Sequence, residues 1–316
     1  MKKLKIELVR FMLLFFFSLI CLSVKSQSKM QDPDDFYLIT ERKISQEIIE
    51  GLKKTKTIFF ISYSNPSALD TLKSVIQSTW DLTPIIFEDI EKFDFYSNNP
   101  DYSYFIIEAG NESSRITIDQ YYLTLRYIEE INKKGKAKTI GLCRIELYPK
   151  FESYGVMNAR NAEEKRKILH KSKKFYNYSP VILRAQLLAF KHNLLNNIRP
   201  REGKTIVDEN LVQKLSNDTL YVPRSILKRY GTYSAKATSI DDDIFKHYPY
   251  SYKICDDQEL YEIFINQKRG RYLFEFVKSS LTKFIIVYDL KDGKMIYKRM
   301  TPHSNEIKPK DLEKFE

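Results

Sequence analysis

Residues 80–122, WDLTPIIFEDIEKFDFYSNNPDYSYFIIEAGNESSRITIDQYY, and residues 248–290, YPYSYKICDDQELYEIFINQKRGRYLFEFVKSSLTKFIIVYDL, fall on one another without a gap at a shift of 168 residues. Ile86 meets Ile254, Asp89 meets Asp257, Glu91 meets Glu259, Asn98 meets Asn266, Tyr104 meets Tyr272 and Ile118 meets Ile286. Other pairs keep chemical class: Glu88 with Asp256, Phe93 with Tyr261, Tyr96 with Phe264, Arg115 with Lys283. Upstream, Thr57-Ile58-Phe59-Phe60 parallels Thr219-Leu220-Tyr221-Val222. Self-similarity over this length is the mark of a repeated structural unit.

Each half alternates helical and strand periods. Ile44, Ile48 and Leu52 lie four apart and predict a helix, followed by a buried strand at 57–61. Ser67 is an expected N-cap for a helix carrying Leu69, Leu72, Val75 and Ile76 and closed by Trp80. Strands are expected at 83–87 and 104–107, with a short helix or turn between. Two further strands are expected at 115–118 and 121–128, a helix over 126–131 being the alternative there. A turn at 132–136 leads into a strand over 139–147. Residues 161–198 read as helical, with Pro180 in the first turn of a second helix. Ile182, Leu183, Leu187, Phe190 and Leu194 read as one apolar face, so this stretch should pack on one of the halves. In the second half, a short helix at Leu211–Leu215 precedes a strand at 219–222. A loop over 230–238 follows, then a helix begun by Ser239 with Asp242 in a capping arrangement. A strand at 252–255, a helix capped by Asp256 or Asp257, strands at 272–277 and 283–288, and a hairpin turn into 295–300 complete it. The expected fold class is α+β: two similar α/β modules, each of helix–strand repeats with a mixed sheet and an appended hairpin, joined by a helical connector. The expected boundaries are 1–26 for a signal peptide, 27–150 for the first module, 151–205 for the connector and 206–316 for the second module.

The start of the chain points to export. Lys2, Lys3, Lys5 and Arg10 precede an apolar block from Phe11 to Val24, too short to span a bilayer comfortably as a helix. Val24-Lys25-Ser26 suits a signal peptidase, with cleavage expected between Ser26 and Gln27. An uncleaved anchor is the weaker alternative. So is a lipoprotein signal at Cys21, because Ser18 is too polar and Ile20 too bulky for that pattern. Residues 27–40 read as a polar lead-in. No second long apolar run follows, so the mature chain is expected to be soluble or held at a membrane by partners, in the periplasm or outside the cell. Removing residues 1–26 takes the formal charge from +11 to about +7. Lys, Asn, Ile, Tyr and Phe are enriched together, which reads as a bias toward A/T-rich codons. Acidic residues are interspersed, so nucleic-acid binding is not expected. Cys143 and Cys255 remain in the mature chain; each lies in an apolar strand-like run and reads as a buried free thiol rather than half of a disulfide.

The segments Thr219-Leu220-Tyr221-Val222-Pro223, Tyr248-Pro249 and the strand–turn–strand of Lys283–Lys298 carry a resemblance. They are similar to features of exported two-domain proteins of unknown function from Bacteroidetes. The resemblance spans much of the mature chain and includes no catalytic motif, so it implies a compartment and an architecture but no activity. Each half also looks like small α/β modules of envelope proteins related to the curli secretion lipoprotein, by fold analogy alone.

No phosphate-cradling glycine loop, nucleophile elbow or His-Glu-x-x-His occurs. The histidines are His170, His192, His247 and His303, none with a Cys or His partner at metal spacing; His170 and His192 are expected at the surface. Asp241-Asp242-Asp243, Asp256-Asp257 and Glu88-Asp89 could bind a cation, but read as helix caps. The 22 Tyr and 20 Phe could form a sugar-binding platform, though strands favour aromatics for packing alone. No catalytic, cofactor-binding or metal-binding residue is assigned, and no cofactor. The expected function is a non-enzymatic cell-envelope interaction or scaffold protein with envelope proteins as partners. The alternatives are a carbohydrate-binding protein using exposed aromatics and an enzyme with a site at the junction of the modules.

Overall fold

The computed structural model describes residues 44–61, 66–113, 116–133, 135, 137–150, 162–170, 175–198, 205–230, 237–279, 282–302, 304 and 306–315. The chain divides into two units, Met1–Tyr37 and Leu38–Glu316, and every described residue belongs to the second. The expected signal peptide, Cys21, residues 27–40 and His303 lie outside the described residues.

The first module runs α1 (Gln46–Lys53), β1 (Lys56–Phe60), α2 (Pro66–Thr79), β2 (Ile85–Glu88), a 3-10 turn, α3 (Phe93–Tyr96), β3 (Tyr102–Ser113), β4 (Ile116–Ile131) and β5 (Ala137–Glu146). Ser45 caps α1 by accepting from the Ile48 N–H. Pro66 opens α2, so Ser67 lies inside its first turn rather than capping it. Proline's fixed φ and missing N–H suit a first-turn position. The sheet order is β2-β1-β3-β4-β5, parallel between β2, β1 and β3 and antiparallel from β3 to β5. The two strands expected between 115 and 128 form one strand, β4. The helical alternative at 126–131 is absent because Arg126 pairs across the ladder with Tyr104 and Gly141. Side-chain alternation splits this core between two faces. Phe59, Phe105, Leu123 and Leu125 meet α1 and α2; Ile58, Phe60, Tyr104 and Ile106 meet Ile90 and Tyr96.

Two helices follow, α4 (Ala162–His170) and α5 (Pro180–Leu195). The second module comprises β6 (Ile206–Val207), α6 (Leu211–Ser216), β7 (Leu220–Pro223), β8 (Lys228–Tyr230), β9 (Ala237–Ser239), a 3-10 turn at Asp242–His247, β10 (Tyr252–Cys255), α7 (Asp257–Tyr261) continued by a π-turn to Asn266, β11 (Tyr272–Ser279), β12 (Thr282–Asp289), β13 (Lys294–Thr301) and α8 (Pro309–Leu312). Its sheet order is β10-β7-β11-β12-β13-β6, and the first five strands repeat the order and pairing senses of the first sheet. The result is an α+β fold of two modules with mixed sheets.

Ser239 ends β9 instead of starting a helix, and Asp241 caps the 3-10 turn by accepting from the Asp243 N–H. The crossover between β7 and β10 is thus a hairpin and a 3-10 turn where the first module uses α2. Nor do the ladders keep a gap-free shift. With Thr57 set on Leu220, they place Ile85 on Tyr252 and Ser103 on Tyr272, so the loops between equivalent strands differ in length.

The helix α5 packs on both sheets, not on one half. Leu183, Leu187, Phe190 and Leu194 form a stripe in the first core, where Trp80 stacks on Phe190 at 5.7 Å. Val181, Ile182, Ala185 and Ala189 form a second stripe in the other core. A helix buried nearly all round shows no single apolar face, which is why Ile182 and Leu183 read as one stripe in sequence. Lys191 ties the end of α5 to the last turn of α2, reaching the Thr79 carbonyl at 3.2 Å and Asp81 at 3.1 Å.

Close packing also governs the turn after the π-turn. A Cβ on Gly270 would stand 2.7 Å from the Phe264 ring and 2.8 Å from Ile263 Cγ2, both core side chains. Gly270→Ala is expected to cost roughly 1–3 kcal/mol by overpacking, read from denaturant midpoints; an unchanged midpoint would show that this core yields freely.

Candidate functional site

β11 reads Tyr272-Leu273-Phe274-Glu275-Phe276-Val277, buried throughout, so a carboxylate lies in the middle of an apolar strand. β7 pairs with β11 at Tyr272 and Leu273. Farther along, the chain around Tyr148 and Asn177 packs against β11, with the Tyr148 and Phe276 rings 5.6 Å apart. A bridge between Pro149 and Phe175 and the Tyr176 N–H, which donates to the Tyr148 carbonyl at 2.8 Å, hold that chain together.

Asn177 organises the junction. Its Oδ1 accepts from the Tyr148 N–H at 2.7 Å, and its Nδ2 donates to the Glu146 carbonyl at 2.9 Å. The amide therefore serves the end of β5 as a neighbouring strand would, satisfying backbone groups that burial would otherwise orphan. The same Nδ2 donates to Glu275 Oε1 at 2.6 Å. Gln186 of α5 donates to Oε1 at 2.7 Å, and the Tyr288 hydroxyl of β12 donates to Oε2 at 2.6 Å. Glu275 is 1 % exposed, and burial pushes its carboxyl up to about 7 against the pull of these three donors and of Lys298.

A second buried group lies beside it. Glu146 takes Arg144 Nε at 2.5 Å on one oxygen and the Ser279 hydroxyl at 3.1 Å on the other, so it too joins β5 to β11. Arg144 also reaches Gln120 at 2.6 Å and covers the Tyr122 ring at 4.6 Å. Asn177, Gln186, Glu275 and Tyr288 are all buried and face one another. The chemistry open to the cluster is hydrogen bonding and proton uptake.

The residues singled out in sequence lie elsewhere. His170 is buried, 4 % exposed, and not at the surface. β1 pairs with β3 only as far as Phe105, and the His170 Nε2 accepts the Ile107 N–H at 3.1 Å just beyond, while Nδ1 faces the Arg166 carbonyl at 2.9 Å. Burial brings its pKa down to about 4. A depressed pKa gives stability that is full above the ordinary histidine value and is lost as pH falls through the folded value. The stability gap between the wild type and His170→Gln should therefore narrow by about 3 kcal/mol from about pH 7 to about pH 4. Urea titrations of both proteins would check this, and a constant gap would refute the buried neutral imidazole.

His192 is half-buried, and His247 is exposed, 3.8 Å from Glu313. Asp241, Asp256 and Asp89 accept backbone N–H groups at the starts of their turns, as caps. Asp242 pairs with Arg224 at 2.9 Å. Among the described residues no group of three or more His, Cys, Asp or Glu is gathered to hold a metal. Cys143 and Cys255 are buried and free, and burial pushes both thiols up to about 12, far from a reactive thiolate. The large exposed aromatics among the described residues are Phe95 at 66 % and Tyr252 at 36 %, in different modules, so they form no row. An open groove of about 450 Å³ lies between α1 and the turn at Pro100, lined by Glu47, Glu50, Lys54, Asp101 and Tyr127. No described helix is long and apolar enough to cross a membrane.

Glu275 carried one sequence signal, a charge inside the apolar run Leu273–Val277. Asn177, Gln186 and Tyr288 carried none, because their roles depend on contacts distant in sequence. Comparison with protein-family models, with curated proteins and with solved structures finds no match to this chain.

Proposed function

We propose that this chain is an exported, non-enzymatic protein of the cell envelope that works through protein contacts. One observation carries the reading: the polar groups converging at the module junction are buried and bonded to one another, so they brace one body in place of meeting a substrate. The basic, apolar start of the sequence supports export. The mixed surface charge argues against nucleic acid as a partner. The common strand order of the two sheets supports reading the modules as copies of one unit, and the C-terminal motifs support kinship with the exported proteins they resemble.

Fractionation of native cells with intact-mass measurement tests this reading. A species beginning at Gln27 in the envelope or medium is expected, and in-cell cross-linking should then join it to envelope proteins. A cytosolic species beginning at Met1 would overturn export. A species beginning at Cys21 with added acyl mass would make it a lipoprotein.

A further inference from the structure

We propose that Glu275 is a proton-operated joint, whose ionisation couples the seating of α5 and Asn177 on the second sheet to the external proton concentration. Three donors reach this carboxyl from three separate elements: Asn177 before α5, Gln186 on α5 and Tyr288 on β12. All three are neutral, and no described cation forms an ion pair with Glu275. An ionised carboxylate accepts every one of these bonds but buries a charge that no contact neutralises. A proton removes that charge and disturbs the bonding. On Oε2 it must reverse the bond with Tyr288; on Oε1 it competes with two N–H donors. Neither state satisfies both demands, so the joint has two forms of similar free energy.

The surrounding charges leave this balance intact. Lys298 on β13 faces Glu275 and favours the anion. The Arg144–Glu146 pair on β5 carries no net charge. Tyr288 is held neutral by burial and by Glu275 itself, and Arg184 of α5 is turned to the Phe264 carbonyl at 3.1 Å. The opposition of burial and donors puts the balance at about pH 7. Its sign follows: a raised carboxyl pKa contributes stability that is full below the ordinary carboxylate value and is lost as pH rises through the folded value.

The test uses the purified full chain and Glu275→Gln, unfolded in urea between about pH 6.5 and about pH 8. The ratio of the wild-type to the variant folding constant should fall about fourfold over that range, with His170 and the other histidines cancelling in the ratio. Hydrogen exchange should show protection of residues 175–190 following the same curve. A flat ratio would overturn the proposal. Should the variant fail to fold, carboxyl-carbon NMR of the wild type decides. One glutamate titrating near pH 7 is expected, and every glutamate titrating below about pH 5 would overturn it.

Discussion

Asn177→Ala is expected to lower the unfolding free energy by about 4 kcal/mol, one of the two largest losses any single exchange should produce here. Three buried groups lose a partner at once: the Tyr148 N–H, the Glu146 carbonyl and Glu275 Oε1. Each unsatisfied buried group costs roughly 1–3 kcal/mol, and Gln186 still serves Glu275, so the sum falls below the maximum. Asn177→Asp should be no better. A carboxylate has no hydrogen to give the Glu146 carbonyl, and it would stand against Glu275 as a like charge. Urea unfolding at about pH 7 measures both, and a loss under about 1 kcal/mol for the alanine variant would show that the end of β5 finds other partners.

Lys283→Met should cost a similar amount, about 3–5 kcal/mol. Lys283 and Asp311 are both buried, with Nζ 2.5 Å from Oδ2. Lys283 also donates to the Glu306 carbonyl at 2.9 Å, and Asp311 accepts the Lys308 N–H at 2.8 Å, so the pair fastens the C-terminal turn to β12. Removing the lysine leaves a buried carboxylate with no cation and only the Lys308 N–H among its donors named here. Removing both charges, as Lys283→Met with Asp311→Leu, should cost less than the sum of the single losses by at least about 2 kcal/mol. An additive double variant would mean that the pair is not coupled in solution.

Local chemistry carried much of the fold. The strands at 57–60, 252–255, 272–277 and 283–288 were legible because short apolar runs are bounded by turn residues, and Pro180 marked the start of α5. Long-range pairing was not legible. β4 looked like two strands because Asp119 and Gln120 interrupt the apolar pattern, although Gln120 is buried against Arg144. The two stripes of α5 merged into one because neither sheet's position could be known. The candidate site was almost invisible for the same reason. Asn177 meets Glu275 across most of the second module, and no spacing rule links residues so far apart in the chain.

The sharing of α5 also bears on the order in which the protein can be made. The first sheet and α5 precede β7 to β13 in the chain and so are synthesised first. The leucine stripe of α5 can then settle on a finished sheet, while Val181, Ile182, Ala185 and Ala189 stay uncovered. A chain truncated after residue 198 would therefore display an adhesive helix with a lone glutamine, Gln186, awaiting its carboxylate. The helix is at once the last piece of one core and the template for the next, which makes synthesis of the second half the step that ends the chain's exposure to wrong partners.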